Sequence, residues 1–129
     1  MNDKISLSDG DWKLMNLLWD AAPDPLTIGE MVEALRDDTA WTKATVNIML
    51  TRLADKNAVW IATGGRAKRF YPMLTRTDAV RQEAKNTLAK IKTGGLGLLV
   101  STMAEDCELS DDEIEELYRI LKQGRGGNV

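Results

Sequence analysis

The sequence predicts a mainly α-helical chain that carries one short β-hairpin, and three observations favour this class. Apolar residues recur at helical spacing, most clearly in TAWTKATVNIMLTRLADK, from Thr39 to Lys56. Two segments rich in β-branched and aromatic residues, VWIAT and KRFYPM, follow directly and flank Gly64 and Gly65, which are expected to supply the positive φ of a hairpin turn. The 129 residues, 43% of them hydrophobic, are enough for one sizeable core.

Three helices are predicted before the hairpin. The first begins at Ser8, is apolar around most of its circumference, and ends at two prolines that start with Pro23. Thr27-x-x-Glu30 is a capping box that opens the second helix, and Thr42 is placed as the N-cap of the third. Two short helices joined by a tight turn make a helix-turn-helix, and a hairpin directly after it makes a winged helix.

The third helix has one apolar face and one unusual outward face. Val46, Met49, Leu50 and Leu53 form the apolar stripe. A merely solvated face usually carries many Glu and Lys residues, whereas this one is small or polar and nearly free of carboxylates. Such a helix is suited to the major groove of DNA. The residues expected to contact DNA from it are Thr42, Lys43, Ala44, Thr45, Asn47, Ile48, Thr51 and Arg52.

Charge is strongly segregated along the chain, although the net charge is only −3. Residues 1–38 hold three basic and nine acidic residues, a net charge of −6, whereas residues 39–76 hold seven basic residues and one acidic residue, a net charge of +6. A local basic patch attracts a polyanion even when the whole chain is acidic. Arg66, Lys68 and Arg69 place cations on the hairpin, where they are expected to contact DNA phosphates.

The last third of the chain is predicted to be helical in three pieces. A helix from about Thr77 to Ile91 ends at the TGG sequence, a second apolar segment covers residues 96–103, and Ser110-x-x-Glu113 caps a final helix. These pieces are too small to form a core alone, so we expect them to pair with a second copy. The residues expected to form the dimer contact are Leu88, Leu96, Leu98, Leu99, Met103, Ile114, Leu117, Tyr118 and Leu121.

This organisation predicts a winged-helix DNA-binding domain over residues 1–76, a helical dimerisation region over residues 77–123 and a disordered tail over residues 124–129. No segment is apolar and long enough to cross a bilayer, and the N-terminus lacks the apolar core of an export signal, so we expect a cytoplasmic location. With no histidine and one cysteine, Cys107, we expect no metal site, no cofactor and no enzymatic activity.

Three stretches, LSDGDWKLMNLLW, WTKATVNIMLTRLADKNAV and GRAKRFYPML, resemble the penicillinase-repressor family (BlaI/MecI/CopY type) of bacterial winged-helix regulators. The resemblance implies a homodimer that binds a palindromic promoter operator with TACA/TGTA elements and blocks transcription. It also implies that Thr45 and Arg52 lie in or beside the recognition surface, and that Gly65-Arg66 is the Gly-Arg pair of the wing. An inactivating protease or sensor pathway is a further partner that the resemblance suggests.

The chain departs from the family pattern at three places. Members usually carry Pro and then Lys where this chain has Lys43 and Ala44. Inducible members are cleaved after the wing helix, commonly at Asn-Phe, and residues 95–103 contain no such pair. The copper-responsive branch carries cysteines in CxC pairs, which Cys107 alone does not supply.

Two other functions are compatible with a winged helix. One is a protein–protein interaction module, which the +6 segment disfavours, since a protein-binding face does not need to exclude carboxylates. The other is a ligand-responsive regulator with a pocket at the dimer seam. Asn47 also has two interpretations, because an asparagine on this face either reads an adenine or only solvates the helix.

Overall fold

The computed structural model describes residues 5–106, 110–117 and 119. Its elements follow in the order α1 (Asp9–Ala21), α2 (Ile28–Ala34), α3 (Lys43–Asp55), β1 (Val59–Ala62), β2 (Arg69–Pro72) and α4 (Arg76–Asp106). Residues 111–117 are helical as well. The predicted class, mainly α-helical with a two-stranded hairpin, is confirmed.

Side-chain caps fix the starts of the first three helices where the sequence predicts them. Ser8 and Thr27 each accept the backbone N–H of the third residue after them, and the carboxylate of that residue accepts the N–H of the cap in return. Thr42 accepts the N–H of Thr45 at the start of α3. Each cap satisfies N–H groups that lack a partner within the helix, which is worth about 1 kcal/mol.

One hydrophobic core joins α1, α2, α3 and the hairpin. Phe70 of β2 is fully buried in it, and its backbone exchanges two hydrogen bonds with Leu26, of 3.1 and 2.8 Å, so the connector before α2 pairs with the hairpin. The indole N–H of Trp19 donates to the carbonyl of Leu74 at 2.8 Å and ties the exit of the hairpin to α1. The buried members of the core are Leu14, Met15, Leu18, Met31, Leu35, Val46, Leu50, Leu53, Ala58, Val59 and Phe70.

The hairpin turns on one glycine with positive φ, not on two. β1 and β2 pair antiparallel with Trp60 opposite Tyr71, as the composition of the two segments predicts. Gly64 has a φ of 113°, but the prediction that Gly65 shares this conformation is wrong. A Cβ atom on Gly65 would lie 2.9 Å from Nη1 of Arg69, so the absence of a side chain there leaves room for that guanidinium group.

The predicted helix stop at the TGG sequence is wrong, because α4 continues from Arg76 to Asp106. A glycine inside a helix costs only about 0.5–1 kcal/mol relative to alanine. No proline interrupts the segment, so the helical hydrogen bonds continue through residues 93–95. The apolar segment 96–103, which was expected to be a separate piece, therefore belongs to α4.

The described residues form two compact units that divide between Asn86 and Thr87. The first unit contains the core. In the second unit, Ser110 and Glu113 form the predicted capping box, with hydrogen bonds of 2.9 and 3.1 Å, at the start of the last helical segment. The predicted disordered tail, residues 124–129, lies outside the described residues. The division into a DNA-binding domain and a dimerisation region stays a prediction.

Replacing Phe70 by alanine should lower the free energy of unfolding of the first unit by about 3–5 kcal/mol, because it removes a fully buried aromatic ring and leaves a cavity. Urea denaturation of the full chain measures this loss. Tyr71→Ala is the matched control, since Tyr71 is the next residue of β2 and is only half-buried. Equal losses in the two variants would show that Phe70 does not hold the hairpin onto the helices.

Candidate nucleic-acid interface

The outward face of α3 is exposed over its whole length. Val46, Leu50 and Leu53 are fully buried on the inner side of the helix, as their spacing predicts. No carboxylate occurs on α3 before its last residue, Asp55. The eight residues predicted to contact DNA from this helix are all exposed: Thr42, Lys43, Ala44, Thr45, Asn47, Ile48, Thr51 and Arg52.

Three hydroxyl groups on this face are already engaged within the helix. The hydroxyl oxygens of Thr42 and Thr45 lie 3.2 Å apart, and Thr42 also caps the helix. The hydroxyl of Thr51 donates to the carbonyl of Asn47 at 2.8 Å. Among the described residues, the side-chain amide of Asn47 has no hydrogen-bond partner, so both its donor and its acceptor are available to an incoming molecule.

Apolar groups accompany Asn47 on the same face. The side chain of Ile48 is 53% exposed, although isoleucine is among the residues most often buried in proteins. Ala44 is one helical turn before Ile48 and is exposed as well. An asparagine flanked by exposed apolar side chains matches an adenine edge beside thymine methyl groups.

The hairpin adds three exposed cations to this surface. Arg66 and Lys68 lie in the turn between β1 and β2, and Arg69 begins β2. The guanidinium group of Arg69 lies over Gly65, since its Nη1 atom would be only 2.9 Å from a Cβ atom on that glycine. The three side chains predicted to contact phosphates from the wing are therefore all accessible.

A groove of about 370 Å³ joins the hairpin to α3. Lys43 and Asn47 line it from α3, and Ala67 and Lys68 line it from the hairpin turn. The start of α2, including Gly29, completes the groove, and the end of the Lys43 side chain passes within 4.0 Å of a Cβ position on Gly29. The outward face of α3 and the hairpin are thus two parts of one continuous surface.

Ion pairs remove two of the seven cations of the basic segment from this surface. Lys56 lies 3.8 Å from the carboxylate of Asp11 and donates to the carbonyl of Ser6 at 2.9 Å. Arg76 bonds to Asp20 at 2.7 Å and stacks over the ring of Trp19, with its central carbon 5.3 Å from the ring centroid. Both pairings lie within the first unit, and the sequence pattern did not reveal either.

The other five cations have no carboxylate partner within the described part of the chain. They are Lys43, Arg52, Arg66, Lys68 and Arg69, the same five that the sequence assigns to DNA contact. A polyanion would be attracted to this surface without first displacing an internal salt bridge.

The described residues place no three His, Cys, Asp or Glu side chains where they could hold a metal ion together. None of the helices within the same residues has the length and apolarity to cross a membrane.

The model of the penicillinase repressor family matches residues 7–123 of this chain. The chain belongs to the penicillinase repressor family. It is 27% identical over 122 residues to the methicillin resistance regulatory protein MecI of Staphylococcus aureus strain N315, covering 95% of this chain and 98% of MecI. It is also 27% identical over 117 residues to the penicillinase repressor of Bacillus licheniformis, covering 91% of this chain and 90% of that protein.

Among solved structures, the fold is similar to that of the Bacillus licheniformis BlaI monomeric form in complex with the blaP half-operator. The TM-score is 0.50 with 24% sequence identity, and the match covers 60% of this chain and 93% of BlaI. This level of similarity establishes the fold of the winged helix. The predicted family and fold class are therefore confirmed.

For this member of the penicillinase repressor family, the predicted dimer residues fall into three groups. Leu88, Leu98, Met103 and Ile114 are exposed, with exposed fractions from 39% to 70%. Leu99 and Leu117 are half-buried. The side chain of Leu96, together with Tyr118 and Leu121, lies outside what the structure describes.

Helical spacing brings some of these apolar residues to one side of α4. Leu88 and Leu99 are eleven positions apart, which is close to three full turns, and Met103 follows one turn later. Leu98 is offset from this line by about a quarter turn. A stripe of exposed and half-buried apolar residues, none of them in the hydrophobic core of the first unit, is the kind of surface that another chain can bury.

Proposed function

We propose that the chain is a DNA-binding transcriptional repressor without enzymatic activity. The observation that supports this most directly is the continuous surface of α3 and the hairpin, in which five exposed cations have no carboxylate partner among the described residues. In the proposed complex, α3 enters the major groove and the hairpin lies along the sugar-phosphate backbone. Binding at a promoter then blocks transcription by occupancy.

We also propose that the operator is palindromic, of the TACA/TGTA type, and that the chain binds it as a homodimer in the cytoplasm. The names of the similar proteins, a methicillin resistance regulator and a penicillinase repressor, support regulation by DNA binding. The similar BlaI structure holds a monomeric form on a half-operator, which supports a second copy on the other half. Release by a protease or sensor pathway is proposed by family analogy alone.

In the proposed complex, the middle of α3 recognises the base sequence of the DNA. The amide of Asn47 can form two hydrogen bonds with N6 and N7 of an adenine, and the exposed methyl groups of Ala44 and Ile48 suit thymine methyls. The hydroxyls of Thr42 and Thr51 contribute less, because each already donates its proton within the helix.

Replacing Asn47 by alanine should weaken binding to the preferred operator by about 1–3 kcal/mol, roughly 5- to 150-fold, because a bidentate base contact is lost. Genomic footprinting first supplies the operator, and fluorescence anisotropy then measures the affinity of each variant for operator and random duplexes. Preference should relax at one base pair in each half-site, and binding to random duplex at the same salt should barely change.

Asn16→Ala is the matched control, since Asn16 is an exposed asparagine on α1 outside the proposed interface. We expect its affinities to equal those of the wild type. If Asn47→Ala weakens operator and random duplex equally, Asn47 positions the helix and does not read the sequence. If the wild type binds no duplex at all, the proposed function is wrong.

A further inference from the structure

The face of the hairpin that points away from the core carries a cluster of exposed and half-buried apolar side chains. Trp60 and Tyr71 are directly opposite each other in the β1–β2 register. Trp60 is 57% exposed and Met73 is 51% exposed. One shallow groove on this face is lined by Trp60, Ala62, Tyr71, Pro72 and Met73, which we call the wing patch.

The wing patch is not explained by the core or by the proposed DNA surface. The hairpin is anchored to the core by Val59 and Phe70, which are almost fully buried. None of the five patch residues lines the groove between the hairpin turn and α3. Tryptophan, tyrosine and methionine are enriched in protein–protein contacts, and exposed clusters of apolar residues commonly mark interaction sites.

The size of the wing patch decides what kind of partner it can hold. With about 250 Å² for a whole tryptophan, Trp60 alone exposes roughly 140 Å², and the five residues together expose on the order of 300–400 Å². A stable interface between free proteins needs about 800 Å² from each partner. The wing patch is therefore too small to capture a partner from solution, but it suits a partner that is already held beside it.

The charge of the wing patch is compatible with contact between two identical copies. None of its five residues is charged. The nearest cation along the strands is Arg69, which pairs with Ala62 at one end of the patch, while Met73 follows the opposite end of β2. In a face-to-face contact whose two-fold axis runs across the strands, Arg69 of one copy would meet the Met73 end of the other, so the two guanidinium groups stay apart.

We propose that the wing patch binds the wing patch of a second copy on an adjacent DNA site, so that occupation of neighbouring sites is cooperative. This inference rests on the proposed DNA-binding function, because DNA supplies the high local concentration that so small a contact needs. The contact is separate from the proposed dimer contact through the C-terminal helices.

The test compares binding to a short duplex that holds one dimer with binding to a long random duplex that holds many. We expect the wild type to bind the long duplex with a sigmoidal isotherm and a cooperativity factor of tenfold or more. Trp60→Thr should reduce this factor to near one and leave the affinity for the short duplex within twofold of the wild type. Met73→Gln, a second substitution in the wing patch, should act in the same direction.

Val80→Thr is the matched control, because Val80 is 52% exposed and lies outside the wing patch, on α4. It should keep the full cooperativity, and thermal denaturation verifies that all three variants fold. Non-cooperative binding of the wild type to the long duplex overturns the proposal. Cooperative binding that persists in both Trp60→Thr and Met73→Gln also overturns the proposal. In that case the partner of the wing patch would be a different protein.

Two further outcomes separate this inference from the proposed function. Equal loss of affinity on short and long duplexes in Trp60→Thr would show that Trp60 contacts DNA, and would overturn the proposal while leaving DNA binding intact. Failure of the wild type to bind the short duplex would instead overturn the proposed function itself.

Discussion

Raising the salt concentration from 50 to 200 mM should weaken the binding of duplex DNA by roughly 10³- to 10⁵-fold, if a dimer neutralises about 6–10 phosphates. The physical reason is the release of counterions from DNA when lysine and arginine side chains replace them. Each chain presents five cations without a described carboxylate partner, so two chains can supply this number of contacts. Fluorescence anisotropy over a salt series gives the slope of log K against log salt.

Arg66→Ala tests whether the hairpin supplies some of the phosphate contacts that determine the slope of log K against log salt. Because the substitution removes one contact from each subunit, the slope should become shallower by about two, and all sequences should be weakened about equally. Arg36→Ala is the matched control, since Arg36 is an exposed arginine that pairs with Glu33 at 2.5 Å outside the basic segment. An affinity for duplex DNA that does not change with salt concentration would contradict the proposed DNA-binding function.

Replacing Leu117 by glutamate should convert the protein into folded monomers and weaken operator binding by about 10²- to 10⁴-fold. Leu117 is half-buried and lies one turn after Ile114, which is 50% exposed. A carboxylate at this position would have to lose its water on dimerisation without a partner. Each half-site would then bind alone, without the gain in effective concentration that links two half-sites.

Sedimentation velocity measures the assembly state, and anisotropy with the full operator measures the affinity. Asp112→Asn is the matched control, because Asp112 is exposed on the far side of the same helical segment from Ile114. It should remain dimeric with unchanged affinity. A wild-type protein that stays monomeric at micromolar concentration and still binds its operator tightly would contradict the dimeric mechanism.

Local chemistry explains the parts of the fold that were predicted correctly. Ser8, Thr27 and Thr42 cap their helices because capping involves only residues three positions apart. The inner stripe of α3 is buried where the 3.6-residue period places it, and the hairpin forms between the two segments with β-branched and aromatic residues. The exposure of all the predicted α3 contact residues follows from the same period, whereas their role in DNA binding stays a prediction.

The parts of the fold that were not predicted depend on small energy differences or on where a side chain from another position comes to lie. The TGG sequence did not end α4, because a glycine penalty of about 1 kcal/mol is too small to terminate a helix by itself. The positive φ at Gly64 alone, with Gly65 accommodating Arg69, depends on where a side chain four residues later comes to lie. A sequence pattern does not encode that placement.

The sequence by itself determined that this chain is a winged helix and that α3 carries an outward face poor in carboxylates, because period, capping and charge are properties of neighbouring residues. Only the tertiary structure decided which cations of the basic segment remain without a carboxylate partner among the described residues. Lys56 and Arg76 belong to the basic segment, yet Asp11 and Asp20 engage them across the fold. It likewise decided that Trp60 is exposed while Phe70 is buried, because the two residues lie on opposite faces of the hairpin and only one of these faces packs on the core.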